Sequence, residues 1–188
     1  MSVWSKLKGA FVGDDRVDIS EATAATARFV WSRDMQLRVA APQGGGWQLA
    51  EGGEAGDLLC AFRCARGEGS DALVLHAKLF AVAKDKQKKA EELRGEDWKA
   101  QWLASTFVEI DQVTTEVVGH MVEGFRHDAC EVRVTGQGKP PMGSLKVRER
   151  QLPAGDRLLI LTAAGSPAQH EAHAGVIEAW ISNTTHAS

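Results

Sequence analysis

LKVRERQLPAGDRLLILTAAGSPAQHEAHAGVIEAWISN, residues 145–183, decides the fold because it predicts a strand hairpin followed by a helix. Segments 144–152 and 157–162 are predicted strands. Residues 153–156 (PAGD) between them have the composition of a tight hairpin turn. The two strands are therefore antiparallel neighbours, and the helix after them has to pack on the sheet that they belong to.

The start of this helix is marked by residues that favour helix N-termini. Ser166 is a natural N-cap, Pro167 suits the first helical position, and Gln169 completes a capping box. Val176, Ile177, Trp180 and Ile181 then fall on one helical face. The hairpin and the helix predict a core with these buried members: Leu159, Leu161, Val176, Ile177 and Trp180.

Strands also dominate the chain before this stretch. One long helix is predicted, over 85–105, with Gly95 dividing it into a kinked helix or two pieces, and with Trp98 and Trp102 as a core-packing pair. The remaining segments are predicted strands: 28–31, 35–40, 57–65, 71–82, 107–118 and 127–135. Because strands follow one another instead of alternating with helices, the sequence predicts an α+β fold, an antiparallel β-sheet with helices packed on it.

The chain divides into a distinct N-terminal segment, residues 1–27, and a single α+β domain, residues 28–188. Trp4, Leu7 and Phe11 have helical spacing and predict a short amphipathic helix. So short a helix is marginal alone, and it becomes ordered only by docking on its own domain, a partner or a membrane surface. Residues 14–27 are compatible with a linker, a short helix or an irregular strand. We expect that removal of residues 1–13 leaves folding nearly intact and weakens association with a partner.

Composition and charge exclude several classes of protein. The 22 basic and 25 acidic residues give a net charge of −3, too balanced for bulk attraction to nucleic acid. The longest uncharged run, 158–170, is too short to cross a bilayer, so we expect no integral membrane association. No signal peptide is recognisable, and Cys60, Cys64 and Cys130 are predicted to be buried reduced thiols, although a disulfide to Cys130 stays open. The expected location is cytoplasmic.

The layout resembles the PsbP-like fold of the photosystem subunit PsbP, the Ran-binding Mog proteins and the bacterial DcrB-type proteins. LRVAAPQGGGW, residues 37–47, looks like the opening strand of that fold, and residues 145–183 look like its closing hairpin and helix. The likeness covers residues 29–183 and concerns architecture. It implies a PsbP-like sandwich that acts as a binding or assembly module, and it carries no site residue to this chain.

No catalytic or metal site is predicted. His170 and His173 form one ligand pair without a second pair, so we interpret them as surface histidines on a capped helix and expect no metal or other cofactor. His127 and Cys130, three residues apart on a strand, point to opposite faces, so the imidazole cannot activate the thiol.

The sequence thus predicts a non-catalytic protein-binding or adaptor module whose partner is another protein. The candidate partner contacts are Trp4, Leu7, Phe11 and Trp47. Core or loop-anchoring roles for Trp47, which ends a glycine-rich loop, remain open. Two alternatives stay beside this prediction: a chaperone or carrier that shelters an apolar peptide or a small lipophilic ligand, and a small hydrolase or metal enzyme.

Overall fold

A computed structural model describes residues 17–19, 29–31, 37–42, 46–52, 57–64, 72–81 and 96–186. These residues form eleven strands and three helices, and the strands are all antiparallel. The strands are β1 (Val17–Ile19), β2 (Phe29–Trp31), β3 (Leu37–Ala40), β4 (Trp47–Gly52), β5 (Asp57–Cys64), β6 (Val74–Ala81), β7 (Phe107–Val122), β8 (Phe125–Gly138), β9 (Ser144–Ala154), β10 (Arg157–Gly165) and β11 (Thr185–His186). The helices are α1 (Glu96–Thr106), α2 (Pro167–Ala172) and α3 (Ala174–Asn183). The predicted α+β class is confirmed.

The main sheet has eight strands in the order β1-β4-β5-β6-β10-β9-β8-β7. Its second half is an uninterrupted meander from β7 to β10, as the sequence predicted. The order breaks at β6, which pairs with β10 and not with β7. A separate sheet of three strands has the order β11-β3-β2. β7, the first strand of the meander, forms one edge of the main sheet.

Two tight turns close the meander, and each uses residues with positive φ. Glu123 (φ 49) and Gly124 (φ 87) join β7 to β8. Positive φ at both central residues matches the twist of the flanking strands, as in a type I′ turn. Gly155 (φ 64) begins the turn between β9 and β10, within the predicted PAGD segment. These turns fix the register of the long strands on either side.

The main sheet is covered on both faces. One face, called the α3 face below, packs on α3 and on the small sheet through Leu37, Val39, Ile177, Trp180 and Ile181. The other face, the α1 face, packs on Trp102, Leu103 and Phe107, and the rings of Trp102 and Phe107 meet edge to face at 6.5 Å. The fold is thus a sheet held between two apolar clusters.

The predicted core around the last helix is confirmed. Leu159, Leu161, Ile177 and Trp180 are buried, and Val176 is partly buried against them. The hydroxyl of Ser166 accepts a hydrogen bond from the backbone N–H of Gln169, so the predicted N-cap is present. The single predicted helix is in fact two helices, which meet at His173.

One short strand lies within the predicted N-terminal segment, where a linker, a short helix and an irregular strand were all open. Residues 17–19 form β1 and pair with β4, so the main sheet already includes part of the segment assigned to 1–27. The predicted hairpin of β2 and β3 is present, but it lies in the small sheet. α1 begins directly after Gly95, and the first half of the predicted helix lies outside the described residues. No helix in the described part of the chain is long and apolar enough to cross a membrane.

Candidate interaction surface

The large apolar side chains that the described residues leave exposed all lie on one hairpin, β7–β8. Five of them are on β7, and the sixth, Phe125, is the first residue of β8. They are Val108 (68% exposed), Ile110 (40%), Val113 (39%), Val117 (72%), Met121 (53%) and Phe125 (73%). Isolated exposed apolar residues are normal on a protein surface, whereas a set of them on one element is characteristic of an interaction site.

Four of these residues share the α1 face of the sheet. Cross-strand pairing sets Val113 opposite Val134 and Val117 opposite Cys130, and both partners belong to the apolar cluster under α1. Ile110 and Met121 have the same orientation, because Ile110 pairs with Gly136 of the same face and Met121 lies four residues after Val117. We call Ile110, Val113, Val117 and Met121 the β7 stripe. It continues the buried cluster outward to the edge of the sheet.

β7 is an edge strand, since it pairs with β8 and no strand among the described residues lies beyond it. An edge strand presents backbone N–H and C=O groups to which another chain can pair. Proteins usually protect such edges with bulges, charges or proline. The register irregularities of β7 are confined to Phe107–Gln112, and from Gln112 to Val122 it pairs regularly with β8. The regular part carries most of the β7 stripe.

The charged side chains of β7 and its turn are all acidic. Glu109, Asp111, Glu116 and Glu123 fall between residues 107 and 124, which contain no lysine or arginine. All four are exposed, and Glu116 forms a 2.9 Å ion pair with Arg133. The side chain of one cation, Arg126 of β8, lies against Gly119 on the face of the stripe. The acidic side chains of β7 and its turn outnumber it, so the edge is electrostatically suited to a basic partner.

The α3 face of the same hairpin holds a buried ionic network around Glu131. Its carboxylate is fully buried and accepts hydrogen bonds of 2.8 Å from Nε of each of three arginines, Arg133, Arg148 and Arg150. Arg148 also donates to Glu178 of α3 at 2.5 Å. Burial alone would raise the pKa of Glu131, but the hydrogen bonds from Arg148 and Arg150 outweigh it and hold the pKa below its usual value. The network fixes β7, β8 and β9 to the last helix.

His120 extends this network from β7 to the end of the chain. Its side chain is buried, with Nε2 at 3.0 Å from the carbonyl oxygen of Thr184 and Nδ1 at 3.4 Å from Nη1 of Arg150. Burial and the cation of Arg150 lower its pKa to about 4. A neutral imidazole with the proton on Nε2 satisfies both partners. His120 is therefore a neutral link between β7 and the end of the chain.

A second group of buried polar side chains lies on the α1 face, across β9, β10 and β6. Glu149 accepts hydrogen bonds from Gln151 at 2.8 Å and from Thr162 at 3.2 Å, and Thr162 pairs across strands with His76. Burial raises the pKa of Glu149 to about 7 and lowers that of His76 to about 4. Both side chains are less than a tenth exposed. At neutral pH the buried His76 is therefore uncharged, and Glu149 is partly protonated.

Of the four predicted partner contacts, the structure describes only Trp47. Trp4, Leu7 and Phe11 lie outside the described residues. Trp47 begins β4, is 2% exposed and meets the ring of His173 edge to face at 5.9 Å. Burial to this degree favours the core role that the sequence left open for Trp47 over direct contact with a partner.

The histidines and cysteines do not assemble a site. His170 is buried, so its interpretation as a surface histidine is wrong. Burial and the nearby Lys146 lower the pKa of His170 to about 4. His127 is exposed while Cys130 is buried three positions further along β8, which confirms that they point to opposite faces. Cys60, Cys64 and Cys130 are all buried, and none of the three forms a disulfide. Within the described ranges, no three His, Cys, Asp or Glu side chains converge as metal ligands do.

Sequence reasoning missed the β7 stripe. Segment 107–118 was recognised as a strand, and its valines fall on both faces, at Val113 and Val117 on one and at Val118 on the other. Valines on both faces are typical of a central strand, and they also occur in an edge strand that has an exposed apolar face. Only the position of β7 in the sheet decides between the two, and the sequence does not contain that position.

Comparison with known proteins supports the fold. No protein-family model and no curated protein matches the sequence. Among solved structures, the chain is similar to LpqN, a protein involved in cell envelope biogenesis of Mycobacterium tuberculosis, with a TM-score of 0.53, 11% identity, and coverage of 100% of this chain and 98% of LpqN. The solution structure of PsbP (CyanoP) from the cyanobacterium Synechocystis sp. PCC 6803 aligns with a TM-score of 0.44 and 11% identity over 76% of this chain and 87% of CyanoP. The likeness to LpqN over the full chain shows an antiparallel sheet with packed helices, in agreement with the fold that the sequence predicted.

Proposed function

We propose that the protein is a non-catalytic binding module that contacts another protein through the edge strand β7 and its apolar stripe. The observation that carries this proposal is the concentration of the exposed large apolar side chains on the β7–β8 hairpin. Burial of a valine or methionine side chain contributes roughly 1.5–3 kcal/mol. Val117 and Met121 together are thus a substantial source of binding free energy.

The rigidity of the hairpin supports the same function. A surface binds well when it is organised before the partner arrives, because less conformational entropy is then lost on binding. The ionic network of Glu131 and the contact of His120 with Thr184 hold β7 and β8 on the opposite face. The exposed stripe is therefore presented by a strand whose other side is anchored.

The buried titratable groups support a non-catalytic role. Glu149 and His76 have strongly shifted pKa values, which also occur at catalytic sites. A general acid or base has to come within hydrogen-bonding distance of its substrate, however, and both of these side chains are buried. We also propose a reducing location such as the cytoplasm, which three buried cysteines in the reduced state support.

Site-specific photocrosslinking in the native cells tests the binding function. A photoreactive amino acid at position 117 should form a covalent adduct of defined mass with a partner protein. The same amino acid in place of Glu171, an exposed residue of α2, should give no such adduct. Equal crosslinking at both positions, or none at position 117, would contradict the proposed function.

A further inference from the structure

We infer that the partner segment at β7 is an extended, basic stretch of another protein, which adds a strand to the sheet and places apolar side chains on the β7 stripe. This inference rests on the proposed function and specifies the chemistry of the partner. It depends on three properties of the edge: its regular backbone, the spacing of its apolar side chains and its charge.

The regular part of β7 has the length and pattern that strand addition requires. From Val113 to Met121 the strand spans about 27 Å at the rise of an antiparallel strand. Val113, Val117 and Met121 lie on one face at intervals of four residues, with Thr115 and Gly119 between them. The backbone of an added strand would pair with β7. Every second side chain of that strand would then lie on the same face as Val113, Val117 and Met121 and contact them.

The buried rows of the sheet show where the incoming side chains would lie. One row runs across three strands through Val147, Val134 and Val113, and the last of these is at the edge. A second row ends with Cys130 and Val117. An apolar side chain on an added strand would continue each row by one position and cover Val113 and Val117 from the side that is now exposed.

The charge of the edge selects a basic segment. Glu109 and Asp111 precede the regular part of β7, and Glu123 follows it in the turn. Lysine or arginine near both ends of an added strand would lie close to these carboxylates. Opposite charges across paired strands are favourable, and like charges directly opposite are unfavourable.

The same charges disfavour a second copy of this chain as the occupant. Antiparallel pairing of two β7 strands centred on Val117 would bring Val113 of each copy opposite Met121 of the other. It would also bring Asp111 of each copy close to Glu123 of the other. Two such acidic contacts, without a lysine or arginine on either strand, oppose self-pairing.

Binding of designed peptides to the full chain tests this inference. The probe is the labelled peptide acetyl-KTVTVTVTVTVTK-amide, which matches the length from Asp111 to Glu123. In antiparallel register it places valines opposite Val113, Val117 and Met121, and lysines opposite the two ends. Binding is measured by fluorescence anisotropy. We expect saturable binding that weakens with added salt. The peptide with both lysines replaced by glutamate, and the peptide with a central proline, should bind at least about tenfold more weakly.

Matched variants locate the binding on the β7 stripe. Val117→Lys should weaken binding of the basic peptide about tenfold, since it removes apolar contact area and adds a like charge. Val108→Lys, a substitution of similar exposure in the irregular part of β7, should change it by less than about twofold. Met121→Lys provides a second stripe variant if Val117→Lys does not fold, as judged by circular dichroism.

Three results would overturn the inference. One is equal affinity for the basic and acidic peptides, and another is equal loss in the Val108→Lys and Val117→Lys proteins. The third is a dimer in sedimentation analysis that Val117→Lys dissociates, because the occupant would then be a second copy. A crosslinked partner at position 117 together with any of these results would leave the binding function standing and reject only the basic strand.

Discussion

Arg150 and Glu131 face each other across β9 and β8, and the guanidinium of Arg150 donates from both Nε and Nη2 to a single oxygen, Oε2, of the carboxylate. Both side chains are buried, and Arg148 and Arg133 bond the remaining oxygen. One carboxylate is thus shared by three arginines beneath the hairpin that carries the exposed stripe, and Glu116 and Glu178 pair with two of them. This carboxylate therefore holds together the side chains on which the β7–β8 hairpin packs.

Replacement of Glu131 by glutamine should therefore destabilise the protein strongly. The amide has no charge, and it would leave the buried Arg148 and Arg150 without their central counterion. Removal of one partner of a buried ionic network costs about 3–5 kcal/mol. Urea unfolding at neutral pH measures the loss, with Glu171→Gln on the surface of α2 as a control that should change stability by less than about 0.5 kcal/mol. Equal midpoints for the two variants would show that the network does not stabilise the fold.

Truncation of Trp180 to alanine tests the core around the last helix. Trp180 is 1% exposed and packs with Ile177, Ile181 and the buried leucines of β10. Loss of a buried tryptophan costs about 3–5 kcal/mol, because apolar contact is lost and a cavity remains. Phe125→Ala, at an exposed aromatic residue, should change the free energy of unfolding by less than about 0.5 kcal/mol. An unfolding midpoint that Trp180→Ala leaves unchanged would contradict the assigned core.

Local sequence patterns predicted the elements of this fold well. The capping residues Ser166 and Pro167, the apolar face with Trp180 and the PAGD turn each depend on near neighbours in the chain, so they can be recognised without the tertiary structure. The fold class followed from the order of strands and helices. The break between α2 and α3 lies at His173, two residues before Gly175, and one glycine in a helical pattern does not by itself predict a break.

Long-range contacts explain what the sequence did not predict. Gly136 and Gly138, residues of a type that favours loops, belong to β8. A Cβ atom at Gly136 would lie 2.2 Å from the backbone oxygen of Glu109, so glycine is required where the irregular part of β7 approaches β8. Which strand forms the sheet edge, and hence which valines are exposed, likewise depends on pairing between distant segments.

The protonation of His120 can be tested by NMR. Burial, together with the Arg150 cation, lowers its pKa to about 4, although the hydrogen bond to Thr184 opposes the shift. We expect a neutral ring at pH 7, with the proton on Nε2, and no titration of this residue between pH 8 and pH 5. Long-range nitrogen–proton correlation spectra identify the tautomer directly. A titration midpoint near 6.5, the ordinary value for histidine, would contradict the buried contact of His120 with Thr184.

The buried carboxyl group of Glu149 should make stability fall as the pH rises. Burial raises its pKa from 4.5 to about 7, although hydrogen bonds from Gln151 and Thr162 oppose the shift. Between these two pH values the folded state retains a proton that the unfolded state has released. The contribution of this group is thus fully present below pH 4.5, declines as the pH rises toward 7, and is absent above it. The difference is on the order of 3 kcal/mol.

Glu149→Gln should remove this dependence. The introduced amide resembles the protonated carboxyl group, because its oxygen can accept from Gln151 and its nitrogen can donate to the hydroxyl of Thr162. In urea unfolding the variant should equal the native protein near pH 5 and exceed its stability at pH 8, by about 1–3 kcal/mol. Glu171→Gln serves again as the control and should leave the pH profile unchanged. If Glu149→Gln is no more stable than the native protein at pH 8, burial does not raise the pKa of this carboxyl group.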